Sequence, residues 1–194
     1  MPAKSDKTKQ LIKNAAKQLF SHKGYARVTM KDICEACNLS RGGLYRYYSS
    51  TKEIMLEILT DDKNEMEKLL EISFQKEVPA VQLMDGFLDM IRADIQNGAN
   101  RFYFVIHEFA FVEPEQNEYM ENRFESAIQI LSTLLDYGKN TQEFKDFDTR
   151  VIAAHIVFFR DSIITASASL QLSDHLIDRQ LKFIKDMVIR NESQ

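Results

Sequence analysis

The sequence has no tryptophan, few residues that break helices and no long apolar run. Its 194 residues include only 6 Gly and 3 Pro, so long helices with short connections are expected. No apolar segment approaches the roughly 20 residues that a membrane span requires. The sequence therefore predicts a helical globular protein with no membrane segment.

Cysteine is also scarce, and no secretory signal precedes the two cysteines. The first residues, MPAKSDKTKQ, carry charges but no following apolar block, which differs from a secretory signal. Two cysteines without such a signal are typical of a protein in a reducing compartment. We therefore expect a cytoplasmic location.

The alternating pattern of strands is missing, whereas apolar residues recur at three- and four-residue spacing. This spacing predicts an all-α fold of about nine helices. It favours an N-terminal three-helix unit over residues 1–50 and a larger helical body over residues 51–194, sharing the long helix after Ser50. The predicted helices are 7–22, 30–37, 41–48, 51–74, 81–96, 101–112, 117–138, 148–170 and 174–189.

Charge is distributed unevenly between these two parts. Residues 1–52 carry 11 Lys and Arg against 3 Asp and Glu, whereas residues 53–194 carry 14 against 26. A basic first quarter on an acidic body indicates a local surface for a polyanion such as nucleic acid. Short basic helices also occur in many other proteins, so charge alone leaves the partner open.

Residues 29–48, TMKDICEACNLSRGGLYRYY, have the layout of a helix-turn-helix. Thr29 is expected to cap a two-turn helix, Asn38 tolerates the left-handed conformation of a tight turn, and Ser40 caps a second short helix. In this motif the second helix enters the major groove of DNA. The segment therefore predicts a DNA-reading head.

Two glycines lie inside the second helix of this motif. Gly42 and Gly43 each weaken a helix by about 0.8–1.0 kcal/mol relative to alanine. Close approach of the backbone to another surface explains such residues. We expect both glycines to let the helix sink toward the bases.

Amphipathic and cationic side chains surround the glycines. Arg41 and Arg46 are expected to reach guanine edges or phosphates, and Tyr45 and Tyr47 to offer hydroxyls to phosphates and rings to thymine methyl groups. Tyr48 is expected to belong to the core, with its hydroxyl at the boundary. The helix after Ser50 begins with amides that form a second anion site.

The chain resembles the TetR/AcrR family of transcriptional regulators over residues 11–59. The motifs LIKNAAKQLFSHKGY and TMKDICEACNLSRGGLYRYYSSTKEIM carry the resemblance. Asn38 replaces the usual turn glycine, and Thr51 stands where lysine is common, so either Thr51 or its neighbour contacts phosphate. The resemblance implies these DNA contacts: Thr29, Lys31, Arg41, Gly42, Gly43, Tyr45, Arg46, Tyr47, and Thr51 or Lys52.

Polar side chains interrupt the apolar helices of the body. His107 and His155 need partners if buried, and large apolar helices with a few polar groups form either plain core or a small-molecule cavity. Glu108, Arg123, Arg160 and Asp161 are similar candidates for a pocket, ion pairs or an interface. The resemblance implies an effector cavity, expected around Met66, Leu70, Phe87, Ile91, Phe102, Ile106, His107, Phe109, Phe124, Ile128, His155 and Phe159.

The last two long helices carry more apolar surface than their own packing requires. They are IAAHIVFFRDSIITASASL and LIDRQLKFIKDMVI, and the small run 166–169 would let another helix approach closely. A monomer could bury this surface internally. The resemblance implies that both helices pair with their twins in a homodimer, which suits a palindromic operator.

Other candidate chemistry is weak. Cys34 and Cys37 form a C-x-x-C, but zinc needs two further ligands, so we expect core residues and keep a redox switch as an alternative. No catalytic set, metal site or cofactor motif stands out. We expect a ligand-responsive repressor that binds double-stranded operator DNA and is released by a small-molecule effector. Control by a partner protein or redox state, or an enzyme using the cavity, are the alternatives.

Overall fold

A computed structural model of the chain describes residues 4–96 and 100–190, and α-helices dominate this part. No strand occurs in the described ranges, where one isolated β-bridge joins Phe144 to Ile189, so the all-α prediction is confirmed. None of the described helices is long and apolar enough to cross a membrane. The helices are α1 (Lys4–Lys23), α2 (Met30–Cys37), α3 (Arg41–Tyr45), α4 (Thr51–Gln75), α5 (Ala80–Gln96), α6 (Asn100–Val112), a 3-10 turn (Pro114–Gln116), α7 (Asn117–Asn140), α8 (Thr149–Ser167) and α9 (Asp174–Val188).

Side-chain caps set where the helices of the N-terminal unit begin. The Thr29 hydroxyl accepts from the Asp32 amide at 3.2 Å, and the Asp32 carboxylate accepts from the Thr29 amide at 2.8 Å, which completes a capping box. At α4, Ser50 Oγ accepts from the Glu53 amide at 3.2 Å. The Glu53 carboxylate accepts from the amide of Ser49 at 2.6 Å, so it reaches one residue further back than a capping box.

Helix α3 is shorter than the sequence pattern predicts. It ends at Tyr45, because a turn follows in which the Tyr47 amide donates to the Leu44 carbonyl at 2.9 Å. Tyr48 then returns to the core and is only 1% exposed. Its hydroxyl is buried as well, so the prediction of a boundary position for that hydroxyl is wrong.

The first hydrophobic core belongs to the N-terminal unit but extends beyond it. It joins α1 to α2, α4 and α6. Four α4 residues, Ile54, Met55, Ile58 and Leu59, and four α6 residues, Phe102, Val105, Ile106 and Phe109, are buried in it. We call residues 4–50 the head. The head core is complete only with these two helices, so α4 and α6 position the head on the body.

The second core lies within the body. Helices α5, α7, α8 and α9 supply most of it, with Phe144 from the connection between α7 and α8. Helix α9 packs on α5 through Ile177, Leu181, Ile184 and Val188, all buried. The two cores meet at α6, which packs on α1 from one side and on α8 from the other.

The α1–α2 connection provides a stability test. Gly24 has φ +85°, and a Cβ there would lie 2.9 Å from Glu108 Oε2. Gly24→Ala should lower the free energy of unfolding by about 1–2 kcal/mol, because L residues are strained in this conformation and the methyl would displace the carboxylate.

Gly86 in α5 is the matched control, because a Cβ there meets nothing within 4 Å. Gly86→Ala should raise the free energy of unfolding by about 0.5–1 kcal/mol through helix propensity. Urea denaturation at one protein concentration measures both. Equal effects of the two substitutions would contradict the described conformation of Gly24.

Candidate nucleic-acid interface and effector region

The turn between α2 and α3 holds the second helix of the motif in place. Asn38 has φ 52°, in the left-handed region, and the next amide, of Leu39, donates to the Cys34 carbonyl at 2.9 Å. Ser40 Oγ accepts from the Gly43 amide at 3.1 Å. Leu44 is fully buried in the head core, so α3 is anchored by one face and open on the other.

Helix α3 and the turn directly after it carry six of the ten residues that are predicted to contact DNA. Tyr45 is 53% exposed although it is aromatic, and Tyr47 packs partly against the head core beneath the Arg46 guanidinium, 5.6 Å from its ring centroid. The exposed members of the predicted set are Thr29, Lys31, Arg41, Gly42, Tyr45 and Arg46, and the partly buried members are Gly43, Tyr47, Thr51 and Lys52.

The two glycines of α3 differ in their surroundings. A Cβ at Gly42 would meet nothing within 4 Å, whereas one at Gly43 would lie 3.2 Å from Ser40 Oγ. Internal packing therefore gives no reason for a glycine at position 42. That another surface approaches Gly42 from outside the chain stays a prediction.

Much of the basic surplus of the head is neutralised within the chain. Lys9 binds Glu57 at 3.0 Å, and Lys17 binds Asp62 at 3.0 Å. Lys13 lies between Glu57 and Asp61, so three α1 lysines face α4. Within the described ranges, the arginines of the head make no hydrogen bond or ion pair through their side chains: Arg27, Arg41 and Arg46.

The two lysines that are predicted to contact phosphate, near the starts of α2 and α4, already have ion-pair partners inside the chain. Lys31 is largely exposed but lies 3.7 Å from Glu35. Lys52 Nζ lies 2.7 Å from Glu115 and 3.4 Å from Glu113, and its pKa is raised, first by the Glu115 contact. DNA would have to compete with two carboxylates for Lys52. Whether Thr51 or Lys52 contacts phosphate stays a prediction.

Two carboxylates, one on α6 and one just after it, accept hydrogen bonds from the head. Glu108 accepts from the amides of Tyr25 at 2.8 Å and Ala26 at 3.2 Å, in the connection between α1 and α2. The Tyr25 hydroxyl donates to Glu113 Oε1 at 2.7 Å, just past the end of α6. Side chains near the end of α6 thus fix the head connection, and nothing in the sequence pattern pairs positions so distant.

The effector pocket expected from the sequence needs correction at several positions. Phe102, Ile106 and Phe109 pack in the head core, because this face of α6 meets α1. Ile91 is fully buried in the body core, so it borders no open space. His155 is exposed on the outside of α8, so the prediction of an interior histidine there is wrong.

The remaining predicted pocket residues stay in the body. Ile128 is 5% exposed and belongs to its core. His107 is half-buried on α6 and lies beside the Asp161 carboxylate. The partly buried members are Met66, Leu70, Phe87, Phe124 and Phe159.

His107 belongs to a group of partly buried charged side chains in the body. We call Asp94, His107, Arg123, Arg160 and Asp161 the polar cluster. His107 Nε2 lies 3.2 Å from Asp161 Oδ1, and Arg160 Nη2 lies 3.3 Å from Asp94 Oδ2. The cluster joins four body helices, α5 to α8.

Further polar groups support the cluster. The Tyr103 hydroxyl donates to Asp94 Oδ2 at 3.4 Å, and the Arg160 guanidinium stacks 4.9 Å from the Tyr103 ring centroid. Thr165 Oγ1 lies 3.4 Å from His107 Nε2. The hydrogen bond to Asp161 raises the pKa of His107, whereas burial raises the pKa of Asp94.

Solvent still reaches the cluster. The Asp161 side chain is 42% exposed and that of Arg160 is 24% exposed, although burial lowers the pKa of Arg160. These side chains therefore lie at a solvent-accessible edge of the body. The sequence pattern indicates both arginines and Asp161 only as open candidates and gives no sign of Asp94, because helical periodicity does not show which charges meet.

Two surface grooves lie near these elements. A groove of about 310 Å³ is lined by Lys17, Gln18, Ser21, His22 and Arg101. A second, of about 280 Å³, lies between α4 and α7 and includes Leu70 and Phe74. Leu70 is the one predicted effector residue that lines either of these two grooves.

The cysteine pair is part of the head core. Cys34 and Cys37 are free and buried in α2, and burial raises the pKa of the Cys37 thiol. In the described part of the chain, no three His, Cys, Asp or Glu residues group as metal ligands would. The expectation of core cysteines is met, and a redox role remains a prediction.

Two family models match the chain in the regions just described. Residues 12–58, which include the helix-turn-helix, match the model described as "Bacterial regulatory proteins, tetR family". Residues 83–177 match "Tetracyclin repressor-like, C-terminal domain". The resemblance that the sequence motifs carry for the head therefore extends into the body.

One relative and two solved structures agree with this match. The HTH-type transcriptional regulator YfiR of Bacillus subtilis is 30% identical over 163 residues, 82% of this chain and 79% of that protein. Regulatory protein TetR from Rhodobacter sphaeroides has a TM-score of 0.74 at 16% identity, over 93% of this chain and 98% of that chain.

The other structure is native NalD, described as the secondary repressor of the MexAB-OprM multidrug efflux pump in Pseudomonas aeruginosa. It has a TM-score of 0.70 at 19% identity, over 96% of this chain and 99% of that chain. At such identities the two structures support the fold alone. With the family models and YfiR, they identify the chain as a member of the TetR family, and thus as a DNA-binding transcriptional regulator.

Proposed function

We propose that this regulator is a ligand-responsive repressor that binds a palindromic operator as a homodimer. The observation that carries the proposal is the open face of α3, with an exposed tyrosine, two arginines without ion pairs and a glycine without neighbours. A short helix held this way fits the major groove. The proposed contacts are those of the predicted set, led by Arg41, Gly42, Tyr45 and Arg46.

Helix α6 supports a route from effector to DNA. His107 lies in the polar cluster, and its neighbour Glu108 holds the α1–α2 connection. A ligand that binds at the polar cluster and moves α6 would therefore move the head, and α4, which contributes to both cores, is a second connection. This is allosteric control if ligand affinity differs between the two positions of the head.

The outer faces of α8 and α9 support a dimer. Val151 is 61% exposed and Phe158 58% exposed on α8, and Phe183 is 60% exposed on α9. Exposed apolar stripes of this kind mark interaction sites. The segment of small residues 166–169 extends past the end of α8 at Ser167. We therefore assign the dimer contact to the larger apolar residues instead.

Selection of binding sites from random duplexes tests the proposed operator. Two α3 helices related by a two-fold axis should recover an inverted repeat with half-sites about one helical turn apart. Recovery of single half-sites only would contradict a dimeric reader. Small molecules that release the selected duplex in a mobility-shift screen would support ligand control. If redox state or a partner protein controls the regulator, a reductant, an oxidant or a second protein would release the duplex instead.

Tyr45→Ala should weaken binding to the selected duplex about tenfold or more, since a tyrosine contact to phosphate or thymine is lost. The side chain is exposed, so the melting temperature should stay within about 2 °C. Phe104→Ala removes an aromatic of similar exposure on α6 and is the control. Equal affinity of the Tyr45 variant and the parent protein in a mobility-shift titration would rule out the assigned role.

Salt dependence separates phosphate contacts from base contacts at the arginines. The logarithm of affinity should fall linearly with the logarithm of salt concentration. Arg46→Gln should reduce the slope by roughly one per half-site if Arg46 binds phosphate, or relax specificity at one base if it reads guanine. Arg150→Gln, in the body, should do neither. A flat salt response would contradict binding through the head.

Phe183→Lys should weaken the dimer at least about a hundredfold, because two charged groups would enter an apolar contact. Sedimentation velocity over a range of concentrations measures this change. Leu69→Lys alters a residue of similar exposure on α4 and should leave the dimer intact. A monomeric parent protein, or a dimer unaffected by Phe183→Lys, would contradict the assigned face.

A further inference from the structure

A groove separates α4 from α7 on the surface of the body. Its volume is about 280 Å³, close to the lower end of the range for pockets that hold small organic ligands. Both helices supply its walls, so a bound molecule would contact both of them. We call it the α4–α7 groove, and its lining residues are Glu67, Leu70, Glu71, Phe74, Gln129, Ile130 and Thr133.

Side-chain contacts join the two helices at both ends of this groove. Toward the head, the Tyr119 hydroxyl of α7 lies 3.1 Å from Thr60 Oγ1 of α4. At the other end, the rings of Phe74 and Tyr137 lie 4.4 Å apart between centroids. The Tyr137 hydroxyl also donates to the Val78 carbonyl at 3.0 Å. The groove therefore lies between two points at which α4 and α7 are held together.

Apolar side chains form the less exposed part of the groove. Leu70, Phe74 and Ile130 are partly buried, and the first two pack against the body core. The exposed lining residues are polar: Glu67, Glu71, Gln129 and Thr133. Covering the apolar part with an apolar or aromatic group would remove its surface from water.

Both charged residues that line the groove are acidic. Glu67 and Glu71 are four residues apart, so they lie on the same face of α4. Glu67 lies 3.6 Å from Lys63, whereas Glu71 makes no hydrogen bond and no ion pair within the described part of the chain. Like charges at this spacing destabilise a helix, so helix stability gives no reason for the pair.

We propose that the α4–α7 groove binds a small organic cation whose ammonium group lies beside Glu67 and Glu71 and whose apolar part fills the space between the helices. The proposal rests on the ligand response proposed above and names the chemical class of the effector. The charge of the body favours the same ligand, since residues 53–194 carry 14 Lys and Arg against 26 Asp and Glu. An anion would meet two carboxylates instead.

A ligand in this groove acts directly on α4. The first turns of the helix bury Ile54, Met55, Ile58 and Leu59 in the head core. A group that widens the gap would tilt α4 against α7, and the head would move with α4. This route uses the second connection between body and head, and it does not require a ligand at the polar cluster.

Three naphthalene compounds test the charge preference of the groove in the full chain: the cationic 2-(1-naphthyl)ethylamine, the neutral 1-naphthylacetamide and the anionic 1-naphthylacetate. They share the apolar ring and differ mainly in charge. Equilibrium dialysis at low salt measures each affinity, because salt screens exposed charges. The amine should bind about fivefold or more tightly than the amide, as expected for two partly solvated charge pairs, and the acetate should bind most weakly.

Exchange of both glutamates, Glu67→Gln with Glu71→Gln, should remove the difference between amine and amide and leave amide binding within about twofold. The matched control is Glu65→Gln with Glu121→Gln, which removes two negative charges from exposed positions on the same helices outside the groove. This control should keep the preference for the amine. All four positions are exposed, so the melting temperatures should stay within about 2 °C of the parent protein.

Thr133→Trp tests the location. Thr133 is an exposed lining residue, and a large ring there should fill the groove and weaken binding of all three compounds about tenfold. In a mobility-shift titration, saturating amine should release the selected duplex from the parent protein and not from the double glutamine variant.

Equal affinity for amine and amide, tighter binding of the acetate, or no binding of any compound would overturn the cation site. A preference for the amine that survives the loss of both glutamates, or binding that Thr133→Trp leaves unchanged, would overturn it as well. None of these results would overturn the proposed repressor, because the screen for release of the selected duplex tests ligand control independently. Amine binding that depends on both glutamates but never releases DNA would support the site and contradict its role as the effector site.

Discussion

The contact between the Glu108 carboxylate and two amides of the α1–α2 connection is the constraint on which the remaining structure depends. It ties α6 to the head at a connection where glycine adopts a positive φ. A hydrogen bond to a charged group contributes about 1.5–3 kcal/mol. The same helix buries Phe109 in the head core and places His107 in the polar cluster. A shift of α6 would therefore affect both the head and the body.

Pairing of charges decides which groups remain available for function. Most α1 lysines with ion pairs bind acidic residues of α4, as Lys9 binds Glu57. The head therefore presents less free positive charge than its count of lysines and arginines indicates. The arginines on and beside α3 are left unpaired.

The sequence predicted local structure well because local structure depends on neighbouring residues. Thr29, Asn38 and Ser40 act as caps and turn as expected, since cap and turn preferences depend on a few adjacent positions. The spacing of apolar residues predicted α6 as a helix but did not show which helices it packs against. Phe102 and Phe109, predicted to line the effector pocket, therefore pack in the head core instead. Glu108 accepts hydrogen bonds from amides more than 80 positions away in the sequence. The DNA contacts and the effector contacts remain predictions.

The most direct test of the coupling through α6 is the affinity of Glu108→Gln for the selected duplex, measured by mobility shift over a range of salt concentrations. Glu121→Gln, an exposed change in the body, is the control. The account predicts that Glu108→Gln lowers affinity several-fold with an unchanged salt slope, because the head loses its fixed position while its phosphate contacts persist. Identical affinities of the Glu108 variant, the control and the parent protein would contradict it.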